Sequence, residues 1–357
     1  MNRKETAELK RRLKKDACSI TRVRGRYGDA DGNCVTEFSE NFLNLDDEEL
    51  HKYLEIAKKL FSGKTGNNLL NLEFAGAAGH TAGAQQGLLS LRDSGLTDDA
   101  VCDAFFENAT AGYDAEGNRL ILLFHDVYDV PSKSEDGADL DDSEEAYEYV
   151  LCAVCPVTLA KPALGYKEDE NRIGARARDW IVGPPDTGFL FPAFNDRSAD
   201  IHSMLFYTKN AAQPHTEFMT GMLGCREVFT ATQKKALFDG ILSDALGEGN
   251  DAENAKIFIH GGLHETADSP EETGEEPHPM DTSELSAVLD EAGVEGHAKD
   301  TILKQFASVF SDDPPQAGQI YDIRLAEECA ARKERIMLLA QIEALKGQID
   351  ALKGGHG

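Results

Sequence analysis

Gly188 to Asn210 reads GFLFPAFNDRSADIHSMLFYTKN, and its interpretation decides the fold. An apolar run from Phe189 to Phe194 meets a polar corner, Asn195-Asp-Arg-Ser-Ala-Asp200, and a second run from Ile201 to Thr208 follows. Aromatic and branched residues dominate both arms, as suits a pleated, half-buried surface, so the stretch predicts a β-hairpin. Pro192 has no N–H for a ladder, which predicts an edge strand or a bulge in the first arm. The corner concentrates two carboxylates, a guanidinium and an amide, with His202 just beyond, and is the leading candidate for chemistry or recognition.

Working outward, Tyr147 to Leu159 predicts the longest strand, with Tyr147, Tyr149, Leu151, Ala153, Cys155 and Val157 on one face by period two. Leu120 to Phe124 predicts a buried strand after the turn at 114–118. Ser19 to Tyr27 and Cys34 to Phe38 predict two strands joined at Asp29 to Asn33, and Arg172 to Val182 holds the one tryptophan, Trp180. The connections lack βαβ alternation, so the strands predict an antiparallel meander. Asp46 or Asp47 caps an amphipathic helix carrying Leu50, Tyr53, Leu54, Ala57 and Leu60. Helices are also expected at 84–93, at 98–111 behind a Thr97 cap, at 230–246, 251–264, 283–292 and 297–310, with loops at 75–83 and 132–145. The fold class is α+β: a central antiparallel sheet (about 119–208) with helical N- and C-terminal regions. The expected divisions are 1–112, 113–264, an acidic linker at 265–281, and 282–357.

The 357 residues carry a net charge of −28, a field that repels nucleic acid and anionic membrane. The charge is uneven: residues 1–26 hold ten Lys or Arg against three acids, a balance of +7 that leaves −35 elsewhere. A basic helix docked on an acidic body is the simpler reading. A DNA-binding arm is the alternative, with Arg11, Arg12, Lys14, Lys15, Arg22, Arg24 and Arg26 on phosphates. Seven scattered cysteines, an odd number, suit reduced thiols. A charged start without an apolar core segment, and no run of about 18–20 apolar residues, predict a soluble cytoplasmic protein.

Four motif-like stretches dissolve on inspection, and no cofactor or metal is expected. Cys152 and Cys155 lie three apart on a strand, so their sulfurs point to opposite faces. Gly63-Lys-Thr65 leaves a helix rather than entering one and lacks the first glycine of a phosphate loop. Asp29, Asp31, Asn33 and Glu40 have calcium-loop spacing but Cys34 where Gly is needed, so a hairpin turn is favoured. His260 and His264 share a helix face, yet Gly261 and Gly262 weaken that helix and no third ligand is placed. His125-Asp126-Val-Tyr128-Asp129, together with Asp196, Arg197, Asp200 and His202, is the more interesting set. Both groups sit at strand ends, where pairing can join acid/base and anion-binding side chains. A polar turn network, with Arg197 clamping a carboxylate, is the competing reading. The tail duplicates a heptad, QIEALKG (341–347) and QIDALKG (348–354), placing Leu338, Ile342, Leu345, Ile349 and Leu352 on one stripe, a candidate for homo-oligomer formation.

Several blocks, in order, resemble an uncharacterised bacterial family, domain of unknown function 4317: TRVRGRY (21–27), FSENFLNL (38–45), KYLEIAKKLFSG (52–63), YEYVLCAVCPV (147–157), RDWIV (178–182), GFLFPAFNDRSADIH (188–202) and YTKN (207–210). That resemblance covers about 1–310 and implies no activity. EFMTGMLGC (217–225) and DTSELSAVLDEAG (281–293) more distantly resemble Gram-negative nucleoid-associated proteins, which implies DNA association. The expectation is an uncharacterised non-enzymatic binding protein, nucleoid- or DNA-associated. The alternatives are a hydrolase- or transferase-type enzyme using the 125–129 and 195–202 groups, or a protein–protein scaffold.

Overall fold

Helix α1 (Arg3–Arg12) opens the chain under an Asn2 capping box completed by Glu5. Strands β1 (Ile20–Gly28) and β2 (Cys34–Asn41) form the first hairpin. Its turn is held by the Asp29 carboxylate, which accepts from the amides of Asp31 and Asn33. Helix α2 (Asp47–Lys59) starts at an Asp46 cap and buries Leu50, Leu54 and Ala57. Each large aliphatic side chain so buried contributes about 1.5–3 kcal/mol. Then come β3 (Leu69–Glu73), α3 (His80–Asp93) and α4 (Asp99–Gly112). The computed structural model describes residues 1–76, 80–113, 116–133, 139–273 and 278–354.

The sheet is built next, from β4 (Asn118–Lys133) and β5 (Asp139–Leu159). A small ribbon of β6 (Leu164–Lys167) and β7 (Arg172–Ala175) and the short β8 (Trp180–Val182) follow. Strands β9 (Thr187–Phe191), β10 (Ala193–Asn195), β11 (Ser198–Asp200) and β12 (Ser203–Thr208) complete it. The order is β2-β1-β4-β5-β9-β12-β3, antiparallel throughout, with β8 also on β5. The central strands of the sheet are buried on both faces. Tyr147, Tyr149, Leu151, Ala153, Cys155 and Val157 all point into one core with Leu9, Leu50 and Leu54, as alternation predicts. Val150, Cys152 and Val154 point into the other, with Leu88, Phe105 and Phe106. The antiparallel sheet with helices beyond it makes this an α+β fold.

The chain forms two units, Met1–Thr230 and Ala231–Gly357. The expected boundary at 112/113 is corrected, because β1 pairs along β4 and draws the N-terminal hairpin into the same sheet. The second unit holds α5 (Ala231–Leu246), α6 (Asn250–Thr273), α7 (Thr282–Glu291), α8 (Gly296–Val309), α9 (Ala317–Ile320) and α10 (Ile323–Gly354). Its core gathers Phe238, Leu263, Leu285, Ile302 and Ile320. Of the two glycines that weaken α6 in isolation, packing demands the first and crowds the second. A Cβ on Gly261 would collide with the Cys329 sulfur, and one on Gly262 would lie 3.0 Å from Val288.

Other local expectations also change. Strand β9 is interior rather than an edge, and Pro192 falls between β9 and β10, after the ladder has ended. The expected loop at 132–145 is largely strand, since β4 runs to Lys133 and β5 starts at Asp139; residues 134–138 lie outside the described residues. Helix α3 begins inside the expected 75–83 loop, and 77–79 lie outside the description, as do 114–115 of the predicted turn. Asp98 caps α4 through the Val101 amide, while the Thr97 hydroxyl donates backward to Ser94. The expected linker is helical through Thr273, with 274–277 outside the described residues.

Candidate functional site

The polar corner is a second, smaller hairpin in which β10 pairs β11 and Asn195 faces Ser198. Asp196 and Arg197 form its two-residue turn, both with positive φ (50° and 62°). Hairpins place Asn-Gly here because side chains at positive φ are disfavoured, so this turn needs outside support. Helix α1 supplies it. Glu5 accepts the Asp196 amide at 2.9 Å, and both Glu8 oxygens accept from Arg197 Nη1 at 2.8 Å. Tyr128 also donates to Glu8 at 2.8 Å; burial and this carboxylate push its phenol up to about 12. Burial pushes the Asp200 carboxyl up, but bonds from Ser203, the His202 amide and Asn195 outweigh it and hold the group below its ordinary value. His202 itself is exposed.

Neighbours on β4, His125 and Asp126 face opposite ways. Asp126 is fully buried on the α1 side, accepting from Ser19 at 2.6 Å and Tyr149 at 2.5 Å. Tyr149 lies 4.8 Å from Tyr147, and burial beside Asp126 raises its phenol far above the ordinary range. His125 is buried on the α3–α4 side. Its Nδ1 meets Thr21 Oγ1 at 2.6 Å and its Nε2 meets Glu148 Oε1 at 2.8 Å. The structure therefore joins Asp196, Arg197 and Asp200 in one bend and leaves His125, Asp126 and His202 in three different surroundings.

A hydroxyl–imidazole–carboxylate row has the order of an acyl-transfer relay, which also needs room for substrate over the hydroxyl. The Thr21 hydroxyl instead lies 3.2 Å from the His125 carbonyl, and each ring nitrogen has a protein partner. The residues that sequence reasoning misses are Glu5, Glu8, Thr21 and Glu148. Glu5, Glu8 and Arg12 at helical spacing were a usable signal for the first two. No local pattern marks Thr21, because a register irregularity between Ile20 and Arg22 sets its direction.

The seven basic candidates are mostly spent inside the unit. Arg24 is buried, 2.7 Å from Asp99 and 3.7 Å from Asp103. Arg26 pairs with Glu37 and Asp103 and lies 5.0 Å over Phe106. The Arg12 guanidinium stacks 3.5 Å over Tyr128, and Lys15 meets Asp47 at 2.6 Å. Arg22 donates to Ser39 and Arg11 to the Ala7 carbonyl, while Lys14 is exposed. Lys15, Arg24 and Arg26 thus pair with acids of α2, α4 and β2.

Apolar side chains, by contrast, are left in water on one arm. In the β6–β7 ribbon Tyr166 faces Ile173, and Leu164, Tyr166 and Ile173 are 76, 61 and 64% exposed. A two-stranded ribbon is marginal in water, the more so with its apolar face uncovered. Beside it Trp180 and Ile181 are 55 and 54% exposed. Strand β8 pairs β5 on one side only: β12 covers β9 from Thr187 to Leu190, and among the described residues no strand continues that row along β8. An open groove of about 390 Å³ adjoins it, lined by Tyr53, Ile56, Leu120 and Val182 together with the charged Asp46, Glu48, Glu49 and Lys52 of the α2 segment.

The remaining motifs are structural. Cys152 and Cys155 lie in opposite cores; burial raises both thiols, Cys155 to about 12. His260 is buried, accepts the Asp322 amide at 3.1 Å and is held below its ordinary value by burial, while His264 packs edge-on against Tyr321. Among the described residues no group of three or more His, Cys, Asp or Glu is placed to hold a metal, and no helix is long and apolar enough to cross a membrane.

A two-sided antiparallel sheet with a helix-clamped polar bend and an open-edged arm defines an α+β protein of a particular build. The chain belongs to the family described as Domain of unknown function (DUF4317), which matches residues 1–338. No curated protein matches it. The likeness to nucleoid-associated proteins finds no support. Phe218, Met219 and Leu223 of its EFMTGMLGC block are buried core residues, so that block reports packing.

Proposed function

We propose that the protein is a non-enzymatic binding protein that takes up an extended segment of a partner protein along the open edge of β8. The observation that carries this reading is the edge itself: three consecutive apolar residues, Trp180 to Val182, are exposed in side chain and, among the described residues, pair with a strand on one side only. Sheet edges of this kind accept an added strand, with main-chain bonds giving affinity and alternate side chains giving specificity. Trp180 and Tyr166 are rigid amphipathic anchors of the type that dominates interfaces, and the groove beside Val182 offers a pocket next to the edge. The test pans wild type and Ile181→Lys against a random linear peptide library. Wild type is expected to enrich peptides with apolar residues at alternate positions, and the charged edge to enrich none. No enrichment by wild type, or equal enrichment by both, would overturn the reading.

One observation favours a second reading, contact with duplex DNA. Lys161, Arg176 and Arg178 stand exposed on the arm beside Tyr166 and Trp180. Basic side chains suit the phosphates of a duplex, although the net charge opposes approach. Binding that falls steeply with salt and is lost on changing these three to Ala would favour it over strand addition.

A further inference from the structure

Helix α10 changes character along its length. Its first turns are anchored on α6: Ala326 and Cys329 are buried, Cys329 fits against Gly261, Arg332 bonds Asn254, and Lys333 meets Glu265 at 2.6 Å. From Lys333 to Gln348 every residue is exposed. Yet this stretch is apolar: Leu338, Ile342 and Leu345 are 52, 47 and 57% exposed. A solvated helix of this length is marginal in water, and Gly347 weakens it further, so the segment needs a partner to account for its sequence.

We infer that this segment is a self-association helix, and that a second copy of the same chain covers it as a parallel two-stranded coiled coil. Three features select that occupant. The exposed apolar residues follow the 4-3 spacing of a seam, Leu338, Ile342, Leu345, which the sequence continues at Ile349 and Leu352 while the backbone stays helical to Gly354. The seam places Ile at a and Leu at d, the combination that favours two parallel strands over three or four. The third feature is charge. Residues 338–354 carry Glu343 and Asp350 against Lys346 and Lys353, a balance of zero in a chain of −28. Two copies repel almost everywhere else and can meet here without that cost. Orientation follows from the flanks. Antiparallel pairing sets the e-position Lys346 and Lys353 of one copy against those of the other, whereas parallel pairing sets them against the g-position Gln341 and Gln348. Ile336 and Met337 lie off the seam and stay exposed in this arrangement.

The inference is independent of the arm, since β8 and α10 belong to different units. The mass of the full chain in solution tests it, measured by light scattering at about 50 μM for wild type and for the double variant Ile342→Asp, Leu345→Asp. Wild type is expected at twice the chain mass and the variant at one, with unchanged near-ultraviolet circular dichroism showing that the fold is intact. A third measurement reads orientation. Leu338→Cys is expected to give a disulfide-linked pair on mild oxidation, because parallel strands in register place the two residues side by side. A single-chain mass for wild type, a mass of three or four chains, a variant that remains paired, or failure of Leu338→Cys to cross-link above the wild-type background would overturn the inference.

Discussion

Two hairpins leave the same sheet, the bend at 193–200 and the arm at 164–182, and they resolve opposite problems. The bend is built of charges and is covered. Its strained turn is clamped by Glu5 and Glu8, and its acid Asp200 accepts from Ser203, Asn195 and the His202 amide. The arm is built of apolar side chains and stands open, with Leu164, Tyr166, Ile173, Trp180 and Ile181 in water. Charged residues within a fold are expensive unless paired, so a cluster of them in a native chain is first of all a satisfied network. Exposed aromatic and aliphatic residues gain nothing from water, and a ribbon that keeps them there is shaped by what it meets. Of the two, the bend is the better-looking catalytic site in sequence, and the arm is the one whose apolar side chains stand uncovered in structure.

The sharpest break in that comparison lies in stability. Phe194 is fully buried beneath the bend, 4.6 Å from Tyr147 and 6.0 Å from Tyr128. Phe194→Ala is expected to destabilise the sheet unit by about 3–5 kcal/mol, through lost transfer energy and the cavity left behind. Urea unfolding followed by tyrosine near-ultraviolet circular dichroism measures it. A cost near zero would mean that the bend is as loosely held as the arm.

Much of this was legible because one period dominates. The alternation of Tyr147 to Val157 fixes which side chains meet α1 and α2, and the opposite pointing of Cys152 and Cys155 follows from it. The α2 stripe and its Asp46 cap were equally plain. Non-local pairing was not. Nothing near Ser19 to Tyr27 shows that this strand lies along β4, about a hundred residues on, and a slip of one residue at its start turns Thr21 toward His125. The destination of the N-terminal charge was half legible. A basic segment on an acidic body is a fair reading of composition, but that Arg24 and Arg26 reach Asp103 depends on α4 crossing that end of the sheet. The acidic stretch after 264 misled because composition is not conformation, and its backbone continues α6 to Thr273. The arm was passed over because exposure of an apolar strand has no local signature.

A smaller difference between the hairpins appears with acid. Asp200 titrates below its ordinary value in the folded protein, because its three donors outweigh the burial that opposes them. A carboxylate depressed on folding stabilises fully above the unfolded value near 3.8, and that contribution is lost as pH falls through the lower folded value. Stability of the sheet unit should therefore decline below about pH 4, and Asp200→Asn should flatten the part of the slope that belongs to the bend. Denaturant midpoints taken between pH 5 and pH 3 decide it. Identical slopes for the two proteins would show that the carboxylate titrates as if it were free.

The arm should scarcely register in any stability measurement. Ile181 is 54% exposed and its strand is bonded on one side, so Ile181→Lys removes little burial and leaves the β5 ladder in place. Changes at such sites fall within about 0.5 kcal/mol. The lysine even protects the isolated protein, since a charge on an open edge discourages pairing between copies. An urea midpoint that moves by the amount expected for Phe194→Ala would show β8 to be a closed part of the core, and strand addition there would lose its footing. An unmoved midpoint together with lost peptide capture separates the two hairpins cleanly: one holds the fold, and the other is available to a partner.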